Sequence, residues 1–284
     1  MFVETIEAAG TGVALIELSR KAFPTAVKIW NWLKDGELTI AICGAGGTGK
    51  TTLSKVLSGD FDLVNLPKQY QESISTERSK LSANVFGSIV VVPGQERRED
   101  SPDWMDFART ISTGKAKLII NVVSWGYHSF GDITAKFSYK DHPFYQPGMT
   151  AEQFVGEYAR ERRDRELNAL RRLEPYISMT DREKTIMITL VTKQDLWWGD
   201  RYRVREHYMS GDYDTLIKEI ERKKGSANFI HEYWSTSLVI ENFISGAHEM
   251  LVPTTGGYEE RLKLANFRRF IQIIEDRFQV SLGD

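Results

Sequence analysis

Apolar positions recur along this chain with two different periods. Between residues 3 and 34 they fall at steps of three and four. Leu15, Leu18, Ala22, Ala26, Ile29 or Trp30, and Leu33 share one face, which predicts helix. Pro24 divides this stretch in two, because a proline inside a helix removes a hydrogen bond and clashes with the preceding turn. Asp35-Gly36 then marks a stop and a turn. Beyond it the period changes. Residues 38–43, 87–92, 117–123 and 185–191 are short β-rich runs, and 38–43 is apolar on both faces, as a central parallel strand is. A further strand is expected at 229–234. Helices are predicted over 50–57, 151–173, 213–223 and 258–278. In the long charged helix, Phe154, Tyr158, Leu167 and Leu170 are the inward residues. Strands alternating with helices imply an α/β fold, a mostly parallel central sheet with helices on both sides. Residues 60–76 carry no clear period and are expected to form a loop. Residues 127–149, rich in aromatic and polar side chains, form an insertion.

Composition narrows this picture modestly. At 41 % hydrophobic and 27 % charged residues the 284-residue chain can bury a sizeable core. It divides into an N-terminal helical extension, residues 1–36, and one elaborated domain, residues 37–284. A net charge of −2 and a pI near 6.3 argue against nucleic acid as a partner. The lone Cys43 excludes an internal disulfide and a cysteine-built zinc site, and fits a reducing, cytoplasmic setting. Glu4, Glu7, Glu17, Arg20 and Lys21 interrupt the first apolar stretch, so it does not resemble a secretory leader.

The chemistry begins where residues 38–43 run into Gly44-Ala45-Gly46-Gly47-Thr48-Gly49-Lys50-Thr51, followed by Thr52 in the next helix. This fits G-x-x-x-x-G-K-[ST] without a mismatch, between a strand and a helix. Glycines permit backbone angles that turn consecutive N–H groups inward around phosphate oxygens. The helix then points its positive end at the same anions. Lys50 is expected to reach the outer phosphates and the Thr51 hydroxyl to ligate Mg²⁺.

Thr192-Lys193-Gln194-Asp195 follows the strand at 185–191. With the phosphate loop upstream, the chain here resembles the Ras-like and translation-factor-type GTPases, whose guanine motif is [NT]-K-x-D. The resemblance implies a three-layer P-loop NTPase fold and GTP or GDP as ligand. Asp195 would accept hydrogen bonds from the guanine ring N–H and amine, and the aliphatic stem of Lys193 would lie over the base. Thr192 stands where asparagine is commoner and keeps a hydroxyl for tying loops together. Ser235-Thr236-Ser237-Leu238, after the last strand, resembles the element that supports the base, with Ser237 and Leu238 at the contact.

Val91-Val92-Pro93-Gly94-Gln95-Glu96 resembles the D-x-x-G-Q-E element of the same family. Gly94 would sense the γ-phosphate and Gln95 would orient the attacking water. Val91 stands where the family has the aspartate that holds Mg²⁺ through a water. That departure weakens the expectation of tight Mg²⁺ binding and of rapid hydrolysis. Thr76 is the candidate second metal-site threonine, with Ser73 and Ser75 as alternatives, and Arg97 or Arg98 is a candidate internal arginine finger.

Three functions are consistent with these residues. The first is a GTP-hydrolysing switch that contacts a protein effector or regulator, or dimerises with nucleotide. The second is a pseudo-GTPase scaffold with little or no hydrolysis. The third is an ATP-using P-loop enzyme, against which Thr192–Asp195 argues. The N-terminal helices either pack on the domain or, if exposed, meet a partner or a membrane. Trp197-Trp198 and Trp104 are either local core or a partner surface. The arginines of residues 160–172, set among Glu161, Asp164 and Glu166, predict a solvated, ion-paired face.

Overall fold

The computed structural model describes residues 39–57, 78–79, 88–91, 102–130, 137–179 and 184–282. The N-terminal extension, Thr76, and Gly94 through Arg98 lie outside the described residues.

Five parallel strands carry the fold: β1 (Thr39–Cys43), β3 (Ser88–Val91), β4 (Leu118–Val123), β5 (Thr185–Val191) and β6 (Phe229–Ser235). A two-residue strand, β2 (Arg78–Ser79), adds antiparallel to one edge, and the order is β2-β3-β1-β4-β5-β6. β1 is therefore central, as its apolar sequence requires. Alternation along each strand sends successive side chains to opposite faces. Ile40, Ile42, Ile89, Val91, Ile120 and Ile188 pack under α1 (Lys50–Leu57) and α7 (Glu260–Leu282) through Leu53, Leu57, Phe270 and Ile274. Ala41, Cys43, Val90, Ile119, Val123 and Met187 face the other way. They meet α2 (Pro102–Ser112), α3 (Ala151–Ser178), α5 (Arg201–Ser210) and α6 (Asp212–Lys224). Both faces of the sheet are covered, which is why its strands lack the polar alternation of a half-exposed sheet.

Among the described residues the predicted strands and helices are present, with ends shifted by a residue or a few. α3 continues to Ser178 rather than stopping near 173, with Pro175 inside its last turns. Its start is fixed by Thr150, whose hydroxyl accepts the Gln153 N–H at 3.2 Å while Gln153 accepts the Thr150 N–H at 2.9 Å. α2 and α5 were not evident in the apolar pattern. α5 buries only Val204 and Tyr208, one turn apart, too thin a stripe to register as a period. The insertion is an aromatic satellite core. Phe130, Tyr139, Phe144 and Tyr145 gather around Phe154 and Tyr158 of α3 and around the hairpin of β7 (Phe243–Ile244) and β8 (Met250–Val252). Among the described residues no helix is long and apolar enough to cross a membrane.

The arginine-rich face of α3 is not wholly solvated. Arg160 does pair with Glu157 at the surface. Arg162, in contrast, lies over the Tyr158 ring at 4.6 Å and Arg163 over the Trp125 ring at 4.4 Å. Glu166 is completely buried. An i, i+4 charge pattern cannot reveal which members face a neighbouring loop.

Candidate functional site

The loops that leave the carboxyl ends of β1, β4, β5 and β6 converge on one edge of the sheet, the side on which open α/β sheets bind ligands. Gly44, Gly47 and Gly49 take φ values of 126°, 75° and 99°. A Cβ on Gly44 would lie 2.1 Å from the Val122 carbonyl oxygen, and one on Gly47 would lie 2.6 Å from the Ser129 nitrogen. These two glycines are thus demanded twice, by backbone angle and by close approach. α1 starts at Lys50, so the N–H groups of its first turn face the phosphate loop. Lys50 is buried and its ammonium donates to the Ala45 carbonyl at 2.6 Å. The same carbonyl accepts the Thr48 hydroxyl at 3.0 Å. Burial lowers the Lys50 ammonium to about 8, because desolvation disfavours its charged form.

The base motif meets this loop directly. The Thr192 hydroxyl donates to the Thr48 carbonyl at 2.6 Å and lies 3.0 Å from that of Val123. The residues joined are 144 positions apart. Lys193 takes φ 55°, left-handed backbone that a lysine rarely adopts, immediately before the short helix α4 (Gln194–Trp197). Burial also lowers the Lys193 ammonium to about 8. Trp197 closes the turn, its indole N–H donating to the Thr192 carbonyl at 2.8 Å. Trp197 is therefore core, while Trp104 packs against Phe107 and Tyr176.

Asp195 is buried, and burial raises its carboxyl against the opposing effect of its hydrogen bonds. The Ser237 hydroxyl donates to Oδ1 and accepts the Asp195 N–H at 2.8 Å. The Glu241 N–H donates to Oδ2 at 3.1 Å. Each carboxylate oxygen accepts one of these hydrogen bonds, so each keeps a lone pair for a ligand. Leu238 is buried 3.6 Å from where a Gly49 Cβ would sit, joining the last loop to the phosphate loop.

Several supporting residues were not visible in the sequence. The Gln194 side-chain oxygen accepts from Tyr258 at 3.1 Å and from Asn266 at 2.7 Å, and its amide donates to Ser235 at 2.9 Å. Tyr258 in turn accepts the Ser237 N–H at 3.1 Å. Gln194 sits within the four-residue motif and could have been noticed there. Tyr258 and Asn266 lie in featureless contexts and carried no signal.

The fold is a three-layer α/β fold of the P-loop type. No family model and no curated protein matches the chain. Among solved structures it is similar to an ADP-ribosylation-factor-like GTP-binding protein, the small COPII coat GTPase SAR1 of Encephalitozoon cuniculi in complex with GDP. That match has 12 % identity over 94 % of each chain and a TM-score of 0.38. The mammalian SRP receptor matches at 14 % identity over 70 % of this chain and 91 % of its own, with a TM-score of 0.34. The signal recognition particle receptor SRb-GTP/SRX complex of Chaetomium thermophilum matches at 11 % over 71 % and 91 %, with a TM-score of 0.35. None of these scores bears on ligand or activity, which rest on the residues of the site.

The motif resemblance of the sequence to P-loop GTPases, not these matches, is what implies Mg²⁺. Thr51 stands in the first turn of α1, where its hydroxyl would be offered to a metal beside the phosphates. Val91, at the end of β3, is 3 % exposed and packed in the apolar cluster beneath α1 and α7. Its side chain offers no oxygen. Among the described residues no group of three histidine, cysteine or acidic side chains could hold a metal. The described residues therefore fit Mg²⁺ incompletely.

Proposed function

We propose that this chain binds a guanine nucleotide at the junction of its phosphate loop and Thr192–Asp195, and works as a nucleotide-dependent switch. The observation that carries this is the Thr192–Thr48 hydrogen bond at 2.6 Å. It joins a phosphate-binding loop to a base-recognition turn as one surface. Backbone N–H groups of Gly46 through Thr51 and the Lys50 ammonium hold the phosphates. An arriving phosphate replaces the Ala45 carbonyl as the partner of Lys50. Asp195, pinned by Ser237 and Glu241, uses its remaining lone pairs for the ring N–H and amine of guanine. Adenine lacks that pair of donors and would leave the ligand-facing lone pairs of a buried carboxylate unmet, which is the basis of selectivity.

Hydrolysis is the second part of the proposal and rests on Gln95 beside Gly94 in the sequence. Gln95 orients a water, and the charge developing on the phosphates is met by Lys50 and the loop N–H groups. The apolar burial of Val91 favours a companion reading, a binding module whose turnover is slow or absent.

Competition for a fluorescent GDP analogue tests the guanine assignment and the reading of Val91 as a poor metal partner. GDP and GTP are expected to displace it and ATP is not. The difference in affinity with and without Mg²⁺ is expected to be small, below about tenfold, because valine supplies no metal-held water. Displacement by ATP with equal potency contradicts the guanine assignment. A large Mg²⁺ dependence contradicts the reading of Val91.

A further inference from the structure

The segment 124–130, where β4 ends and the aromatic insertion begins, is absent from every motif quoted above, yet it touches both halves of the site. The Ser129 N–H donates to the Gly47 carbonyl at 3.0 Å, and its hydroxyl reaches the same oxygen at 3.3 Å. The Lys193 ammonium donates to that hydroxyl at 3.3 Å. One serine thus links the phosphate loop to the base motif: ammonium to hydroxyl, hydroxyl to carbonyl. The approach is close enough that Gly47 has no room for a Cβ on the Ser129 side.

The loop behind Ser129 is held from α3. The Tyr158 hydroxyl lies 3.2 Å from the His128 carbonyl oxygen and 3.4 Å from that of Ser129. Gly126, at φ 79°, lies so close to α3 that a Cβ would fall 2.1 Å from the Ala159 carbonyl oxygen. Glu166 accepts the Ser124 N–H at 2.8 Å, the Gly126 N–H at 3.3 Å and the Tyr208 hydroxyl, and its Oε1 lies 2.9 Å from His128 Nε2. Burial alone would raise this carboxyl, but its hydrogen bonds from His128, Tyr208 and Ser124 prevail and hold it below the usual range. A buried carboxylate is costly unless it is satisfied in this way. Here the whole arrangement fixes one short loop, and the loop's tip meets the site.

We infer that Ser129 is a positioning residue for bound nucleotide, a bridge that makes the phosphate-binding and base-binding halves close and open together. The inference rests on the nucleotide site proposed above and deepens it. With the bridge in place, Lys193 is held against the phosphate loop before the ligand arrives. Without it, Lys193 moves independently and the ligand leaves more easily. Ser129 is only half-buried and the loop's fixed points lie elsewhere, so truncating its hydroxyl leaves the fold intact.

The test measures release of the fluorescent GDP analogue from the full-length chain, beside the melting temperature of the nucleotide-free protein. Ser129→Ala is expected to release the analogue about five- to tenfold faster, the loss of a net hydrogen bond, with the fold kept and the melting temperature lowered by no more than about 2–4 °C. Ser129→Thr, which keeps the hydroxyl, is expected to restore slow release. Tyr158→Phe, which removes only the hydroxyl beneath the loop, is expected to quicken release about two- to threefold. Native release from Ser129→Ala, or equal quickening in Ser129→Thr, overturns the inference. If the native chain ignores the GDP analogue but binds a fluorescent ATP analogue, the guanine reading fails and the same variants decide the bridge with that probe. If it binds neither, both fall.

Discussion

The two halves of the site are built by different means. At the phosphate loop, backbone does the work: Gly44, Gly47 and Gly49 at positive φ, then the opening turn of α1. The only charge there, Lys50, donates to the loop's own Ala45 carbonyl. At the base loop, side chains do the work. Asp195 is fixed by Ser237, and Ser237 by Tyr258, and Gln194 gathers Tyr258, Asn266 and Ser235. A backbone cradle binds any phosphate chain, since all phosphates present the same oxygens. A network of fixed side chains can discriminate, since moving one group leaves others unpaired. Affinity should therefore reside mainly in the first half and selectivity in the second.

The largest effect that could break this contrast is at Lys50. Lys50→Met is expected to weaken GDP and GTP by about a hundredfold or more, since a charge-assisted contact to phosphate is lost. Stability of the nucleotide-free chain should hold or rise, because a buried ammonium is replaced by an apolar chain of similar length. Ala45 keeps the Thr48 hydroxyl as a partner. Titration of nucleotide alongside chemical denaturation checks both, and retained affinity would remove Lys50 from the phosphate site.

Ser237→Ala sharpens the other side. It frees Asp195 from one of its two anchors, and is expected to cost about tenfold in guanine nucleotide affinity. Binding of inorganic triphosphate, read by displacement of the same fluorescent analogue, should not change. Equal losses for both ligands would show that the halves are not separable at this residue.

The smallest effect is in pH. Lys50 in the free protein titrates near 8, and a bound phosphate raises that value. Its contribution to affinity is then complete below about pH 8 and fades as pH rises above it. Affinity should fall about fourfold between about pH 7 and about pH 8.5 if one lysine governs it, and more steeply if Lys193 contributes as well. Isothermal titration across that range decides, and an affinity that rises with pH would contradict the assignment.

The same contrast explains how much was legible in the sequence. The phosphate loop is local: eight consecutive residues specify its glycine positions, its cation and the helix start. The core of the sheet was legible too, because strands covered on both faces must be apolar throughout. Thr192–Asp195 showed its residue types but not its anchors, since Tyr258 and Asn266 lie 64 and 72 positions from Gln194. Glu166 was misread as one of many surface acids. The helix repeat places it beside arginines, and only the fold brings the loop 124–128 down upon it. α5 escaped because two buried residues make no stripe.

The central claim is that Asp195 selects guanine, and replacing its carboxylate by an amide tests it most directly. Asp195→Asn keeps the size of the side chain and exchanges one acceptor for a donor. Xanthine presents an acceptor where guanine has its amine. The variant is expected to lose about a hundredfold or more in GDP affinity and to gain binding of xanthosine diphosphate, measured by competition against the fluorescent GDP and xanthosine analogues. Unchanged preference for GDP in a folded Asp195→Asn protein would contradict the account.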